Sequence, residues 1–119
     1  MKHLVFVVFV MFFACTQSVE YEDLEHRERI AYVQGEDTPF SGRAVDYFPD
    51  GSVREEAYYK DGVLHGTWKA FSPDGTPVRR LYFKEGAQHG EQIFYNESGD
   101  ISSRAHFDRG ELQDVQSEE

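Results

Sequence analysis

The chain has 119 residues and a formal net charge of −10, from 12 Lys and Arg against 22 Asp and Glu. That length is one domain or less, too short for a two-domain enzyme, and such acidity repels phosphate backbones and anionic head groups, which excludes nucleic acid and polybasic membrane docking. Aromatic residues at 15% exclude a disordered tail, and the single cysteine excludes an internal disulfide or a cysteine zinc cage.

Residues 1–14 read as a signal peptide. Lys2 and the free amino terminus precede an apolar run of eleven residues, Leu4 to Ala14. A membrane-spanning helix needs about 20 such residues, whereas eleven suit the apolar core of a signal peptide. Phe12-Phe13-Ala14-Cys15 resembles the bacterial lipobox, although Phe12 departs from the usual leucine. The resemblance implies cleavage after Ala14, lipidation at Cys15 and a lipoprotein of the cell envelope facing the periplasm or exterior. Plain secretion is the alternative. Residues 15–22 then form a linker behind the anchor.

Residues 23–41 predict an irregular capping half-repeat. Leu24 to His26 and Ile30 to Val33 fit a hairpin about Arg27-Glu28, and a short helix over Asp23 to Arg29 fits nearly as well. Thr38-Pro39-Phe40-Ser41-Gly42 joins this cap to the regular array.

From Gly42 the chain repeats every 24 residues. Gly42, Gly66 and Gly90 keep that spacing, as do Gly51, Gly75, Gly99 and Gly62, Gly86, Gly110, so that nine of ten glycines fall on one grid. Tyr47, Phe71, Tyr95 and Tyr59, Phe83, Phe107 keep the same beat, which marks an internal repeat. Three copies occupy 42–114; Asp114 stands where a fourth glycine would begin another. Val115 to Glu119 is polar and predicts a frayed tail.

Each copy reads as two strands. Pro49-Asp50-Gly51 and Pro73-Asp74-Gly75 are tight-turn sequences, with Glu97-Ser98-Gly99 a looser version. The fold predicted is all-β: a single-layer antiparallel meander of six strands built from 24-residue hairpin repeats. A three-residue loop at Pro73-Asp74-Gly75 sets Ser72 against Thr76, Gly66 against Tyr82 and Trp68 against Arg80, and likewise Gly42 against Tyr58 and Gly90 against His106. In that register Val45, Ala57, Leu81, Phe83 and Ile93 share a packed face. Trp68, Arg80, Tyr82, Phe94 and Arg104 share the other, the candidate protein-binding surface. A ladder in which these side chains only pair with one another is the alternative.

The unit is clearest in His65-Gly66-Thr67-Trp68-Lys69-Ala70-Phe71-Ser72-Pro73-Asp74-Gly75 followed by Tyr82-Phe83-Lys84-Glu85-Gly86. It resembles the MORN-repeat variant family over most of the chain after the leader. The resemblance implies a scaffold or contact surface rather than a catalyst. Bacterial proteins of this appearance are labelled YwqK-type antitoxins of toxin–antitoxin systems, which implies a protein partner, a toxin acting in the envelope if the chain is exported.

His65 and His89 recur one period apart, but Gln113 stands in the third copy, so they read as repeat positions and not as metal ligands. Asp50, Asp74, Asp61 and Glu85 read as turn formers without calcium-loop spacing. No nucleophile elbow, zinc-protease helix or phosphate loop occurs. The expectation is a non-enzyme without cofactor or metal, touching the membrane through its lipid anchor only. It acts as a protein-binding module; a structural envelope lipoprotein without a specific partner, or a cytosolic antitoxin if the leader is no signal, are the alternatives.

Overall fold

A computed structural model describes residues 17–118. The expected signal peptide and lipidated Cys15 lie outside them. The strands are β1 (Gln17–Glu20), β2 (Leu24–Arg27), β3 (Ile30–Val33), β4 (Gly42–Tyr47), β5 (Val53–Lys60), β6 (Val63–Phe71), β7 (Pro77–Lys84), β8 (Ala87–Gln88), β9 (Gly90–Tyr95), β10 (Ile101–Asp108) and β11 (Glu111–Ser117), with a 3-10 turn at Tyr21–Asp23. One sheet runs in the order β1-β4-β5-β6-β7-β9-β10-β11, with β8 also on β7, while β2 and β3 form a separate hairpin. From β4 to β11 the sheet is the predicted antiparallel meander.

Both ends differ from expectation. Part of the expected linker, Gln17–Glu20, is a strand that pairs in parallel with β4, from Gln17 against Gly42 to Glu20 against Val45. Val115 to Ser117 is not frayed. It belongs to β11, which pairs with β10 as far as Ser103 against Ser117. Asp114 therefore does not stop the array, and a fourth copy begins as one strand. The cap forms a hairpin and not the short helix: the turn is Glu28-Arg29, with φ of 50° and 70°. Left-handed conformation at both turn residues suits a two-residue hairpin.

The turns form as their chemistry dictates. The N–H of Ser72 donates to the carbonyl of Thr76 at 2.8 Å, and Phe48–Ser52 and Asn96–Asp100 repeat the bond at 2.8 Å. Gly51, Gly75 and Gly99 donate back to Phe48, Ser72 and Asn96. Beyond each turn the register then slips by one. Phe71 faces Pro77 but Ala70 faces Arg79, leaving Val78 unpaired. Arg54 and Ser102 are left over at the same place in the other copies. Such a bulge beside a tight turn increases the local twist. Its consequence is a correction: Gly66 faces Phe83, Trp68 faces Leu81, Gly42 faces Tyr59 and Gly90 faces Phe107.

A second irregularity joins the copies. Tyr59 faces Leu64 while Ala57 faces Trp68, so β6 carries two extra residues around Gly66. The same surplus interrupts β8 and β9 around His89 and Gly90. Gly66 and Gly90 have φ of 101° and 74°, which a side chain resists. At the third junction Asp114 replaces the glycine, and only one residue bulges between Leu112 and Asp114.

Apolar packing is concentrated at the amino-terminal end. Leu24, Phe40 and Ala44 are buried together, with Val19, Tyr21, Val33 and Tyr59 against them. The Phe40 and Tyr59 ring centroids are 5.8 Å apart. Burial pushes the Tyr21 and Tyr59 phenols up from their ordinary values. The expected packed face does not form: Val45 and Ile93 lie in the row of Lys69 and Arg80, on the other face from Ala57, Leu81 and Phe83, and beyond the cluster only Val45, Ala57, Ala70 and Ala105 of the sheet's apolar residues are buried.

Candidate protein-contact faces

The bulges decide which side chains share a face. Glu55, Ala70, Arg79 and Phe94 are successive partners across the strands, and so are Glu56, Lys69, Arg80, Ile93 and Arg104. These rows lie one residue apart along each strand and point to opposite sides. The five expected contact residues are therefore divided. Trp68 and Phe94 lie with Arg79 on one face; Arg80, Tyr82 and Arg104 lie on the other.

On the first face the chain partners itself. The Arg79 guanidinium carbon sits 5.3 Å from the Trp68 ring centroid, within cation–π range. Phe94 is the cross-strand partner of Arg79.

The second face is more open. Arg104 is engaged, its Nη1 donating to Glu91 at 2.7 Å and its Nε to Glu118 at 3.1 Å. Arg43 holds Glu56 through Nε at 2.8 Å and Nη2 at 2.7 Å. These bonds raise the pKa of Arg43 and of Arg104 above the ordinary arginine value. Between these pairs Lys69 and Arg80 face each other directly. Neither has an ion-pair partner among the described residues. Tyr82 is 39% exposed beside them, and a hollow of about 250 Å³ is lined by Thr67, Arg80, Tyr82, Glu91 and Ile93 among others.

The recurring histidines hold the backbone. His65 Nδ1 accepts the N–H of Glu85 at 3.2 Å, and His89 Nδ1 accepts that of Arg109 at 3.3 Å. Ser41 Oγ does the same for Asp61 at 2.9 Å in the first copy. Among the described residues no three His, Cys, Asp or Glu side chains group closely enough to hold a metal ion. The turn acids are likewise occupied within their turns. Asp50 accepts from the Ser52 N–H and hydroxyl, and the Ser72 hydroxyl and Thr76 N–H pull the Asp74 carboxyl down to about 2.

Sequence reasoning passed over three residues. Lys69, between Trp68 and Ala70, has no motif to mark it. Arg79 points to the opposite side from its neighbour Arg80, and the bulge puts it, and not Arg80, on the face of Trp68. Gln92 stands in the repeat column of Ala44 and Trp68 and is completely buried. Its Oε1 accepts the Tyr82 N–H at 2.9 Å and its Nε2 donates to the Tyr82 carbonyl at 3.1 Å, which fills the gap that the junction bulge leaves in the ladder.

The family model described as MORN repeat variant matches residues 41–61, 64–85 and 88–109. Each match ends on a left-handed turn residue, Asp61, Glu85 or Arg109. No curated protein matches the chain.

Proposed function

The chain belongs to the MORN repeat variant family, and from that membership we propose that it is a non-catalytic contact module for a protein partner, tethered to the cell envelope by a lipid on Cys15. MORN repeats are in general protein- or membrane-binding modules. Between those two, a net charge of −10 favours protein, because anionic head groups repel such a surface. The observation that carries the reading is that Arg80 and the exposed Tyr82 stand two residues apart on β7, on the same uncovered face of a one-layer sheet. Arginine and tyrosine, together with tryptophan, are the side chains most enriched among the residues that dominate protein interfaces.

The tether rests on the leader, with its eleven-residue apolar run ending at Ala14-Cys15. An exported chain would neutralise only a partner that acts outside the cytosol, so an antitoxin role takes the form of immunity in the envelope. In-cell crosslinking followed by affinity capture tests the contact reading. Arg80→Ala with Tyr82→Ala should abolish capture of a partner while circular dichroism stays unchanged, and Trp68→Ala with Phe94→Ala should leave capture intact. No protein captured above background by the unaltered chain would leave a structural envelope lipoprotein as the better reading.

A further inference from the structure

Resting on the reading of the chain as a contact module, we infer that the Arg80 face takes an acidic protein segment whose carboxylates seat across Lys69 and Arg80. The two cations are direct cross-strand partners, a position in which like charges repel. The acids that could relieve them are held elsewhere. Glu56, the partner of Lys69 on its other side, is held by Arg43 at 2.7 Å, and Glu91, on the rim of the same hollow as Arg80, is held by Arg104 at 2.7 Å. In a chain with 22 acidic residues against 12 basic ones, two adjoining cations without an ion-paired carboxylate among the described residues form a local site of opposite sign to the whole.

The surroundings specify the ligand further. Tyr82 and Ile93 offer apolar contact beside the cations, and the hollow of about 250 Å³ has room for a side chain. Glu91 on its rim and the net charge of −10 disfavour a densely charged polyphosphate or lipid surface. Separated carboxylates along a protein segment, with apolar side chains between them, satisfy both features.

The test uses the chain without its leader and a short fluorescent peptide of alternating Glu and Val, with a Lys–Val peptide as control, read by anisotropy. The Glu–Val peptide should bind and the Lys–Val peptide should not, with Lys69→Glu and Arg80→Glu each weakening binding by about tenfold or more. Equal binding of both peptides, unchanged binding by the variants, or full displacement by millimolar inorganic phosphate would overturn the inference. Thermal melting supplies a readout that needs no ligand. Arg80→Glu should melt higher than the parent because it replaces a repulsive cross-strand pair by an attractive one while its partner on the other side, Ile93, is neutral, and a lower melt would count against an uncompensated pair. If a cellular partner is captured but Lys69→Glu leaves its capture intact, the contact-module reading stands and the acidic segment falls.

Discussion

His65 Nδ1 accepts the backbone N–H of Glu85 across 3.2 Å, although the two residues are twenty apart in the chain. One stands where a copy begins and the other in the turn that ends it, with Glu85 at φ 51°. The bond explains why the histidine recurs and why serine serves at position 41. An accepting Nδ1 leaves the ring proton of the neutral imidazole on Nε2. We expect His65→Ala to lower stability by about 0.5–1.5 kcal/mol, the net worth of one such bond, and His65→Ser to retain most of it. Urea midpoints with unchanged slopes would report this. Added zinc should leave the midpoint where it is; a zinc-dependent rise lost in His65→Ala would restore the metal reading.

Gln92 acts as a piece of backbone. Its amide meets the Tyr82 N–H and carbonyl where the ladder is interrupted, and also donates to the His89 carbonyl at 3.2 Å. Gln92→Leu keeps the volume and removes the partners of buried groups, at a cost of about 1–3 kcal/mol. Trp68 occupies the same repeat column, so a large apolar residue is acceptable there in principle. The expected signature is therefore local: hydrogen exchange at the Tyr82 amide should accelerate more than exchange at Leu81 or Arg80. Uniform acceleration would mean that Gln92 contributes only packing.

The contrast between these residues and the expected ones explains what the sequence could carry. Turn chemistry is local, so Pro73-Asp74-Gly75 sufficed to place Ser72 against Thr76. The residues left over at the bulge, Arg54, Val78 and Ser102, have nothing in common as side chains. Their position is a feature of the backbone just beyond each turn, which residue types do not record. Because a one-residue slip exchanges faces, that omission was enough to separate Trp68 from Arg80. The pairing of β1 was hidden for a related reason: Gln17–Glu20 is polar apart from Val19, and it lies beside Gly42, which has no side chain to betray a neighbour.

Gly62 and Gly86 test packing apart from backbone conformation. Their φ angles are 83° and 86°, so alanine should meet the same left-handed penalty at both, about 1–2 kcal/mol. Their surroundings differ. A Cβ at Gly86 finds Val63 at 3.6 Å, ordinary contact, whereas at Gly62 it runs into Ile30 and meets the Ala31 carbonyl oxygen at 3.1 Å. The capping hairpin is also bound there, through Ala31 N–H to Gly62 carbonyl at 2.9 Å. Gly62→Ala should cost a further 1–3 kcal/mol or so from overpacking, and should expose the β2–β3 hairpin to proteolysis. Equal losses at both sites would mean that the cap is not docked on this turn.

Asp74 gives the pH dependence a sign. Its carboxyl titrates at about 2 in the fold, against about 3.9 in an unfolded chain. A depressed folded value stabilises above the unfolded pKa and is lost as pH falls toward the folded one. Stability should thus decline between about pH 4 and 2, and Asp50, lowered by Ser52, acts in the same direction. The third turn has Ser98 at this position and uses Asn96 Oδ1 to accept the Ser98 and Asp100 N–H groups, each at 3.0 Å, so it lacks this acid dependence. Asp74→Asn should lower stability at neutral pH and flatten the decline below pH 4. A decline as steep as the parent's would assign acid sensitivity to other carboxylates.

The proposed tether makes the sharpest cellular prediction. The Ala14-Cys15 junction ends an apolar run of eleven residues, and β1 begins at Gln17, two residues beyond the cysteine. A lipid on Cys15 would therefore hold the parallel edge of the sheet close to the membrane, with the Lys69–Arg80 face several strands away from it. One acyl chain gives only weak, reversible attachment, so stable anchoring needs the multiple chains of a processed lipoprotein. Cells fed a radiolabelled fatty acid should yield a labelled, membrane-associated protein, and Cys15→Ser should lose the label and leave the membrane fraction. An unlabelled, uncleaved protein in the cytosol would remove the tether and return any antitoxin role to a cytosolic partner, with the contact face itself unaffected.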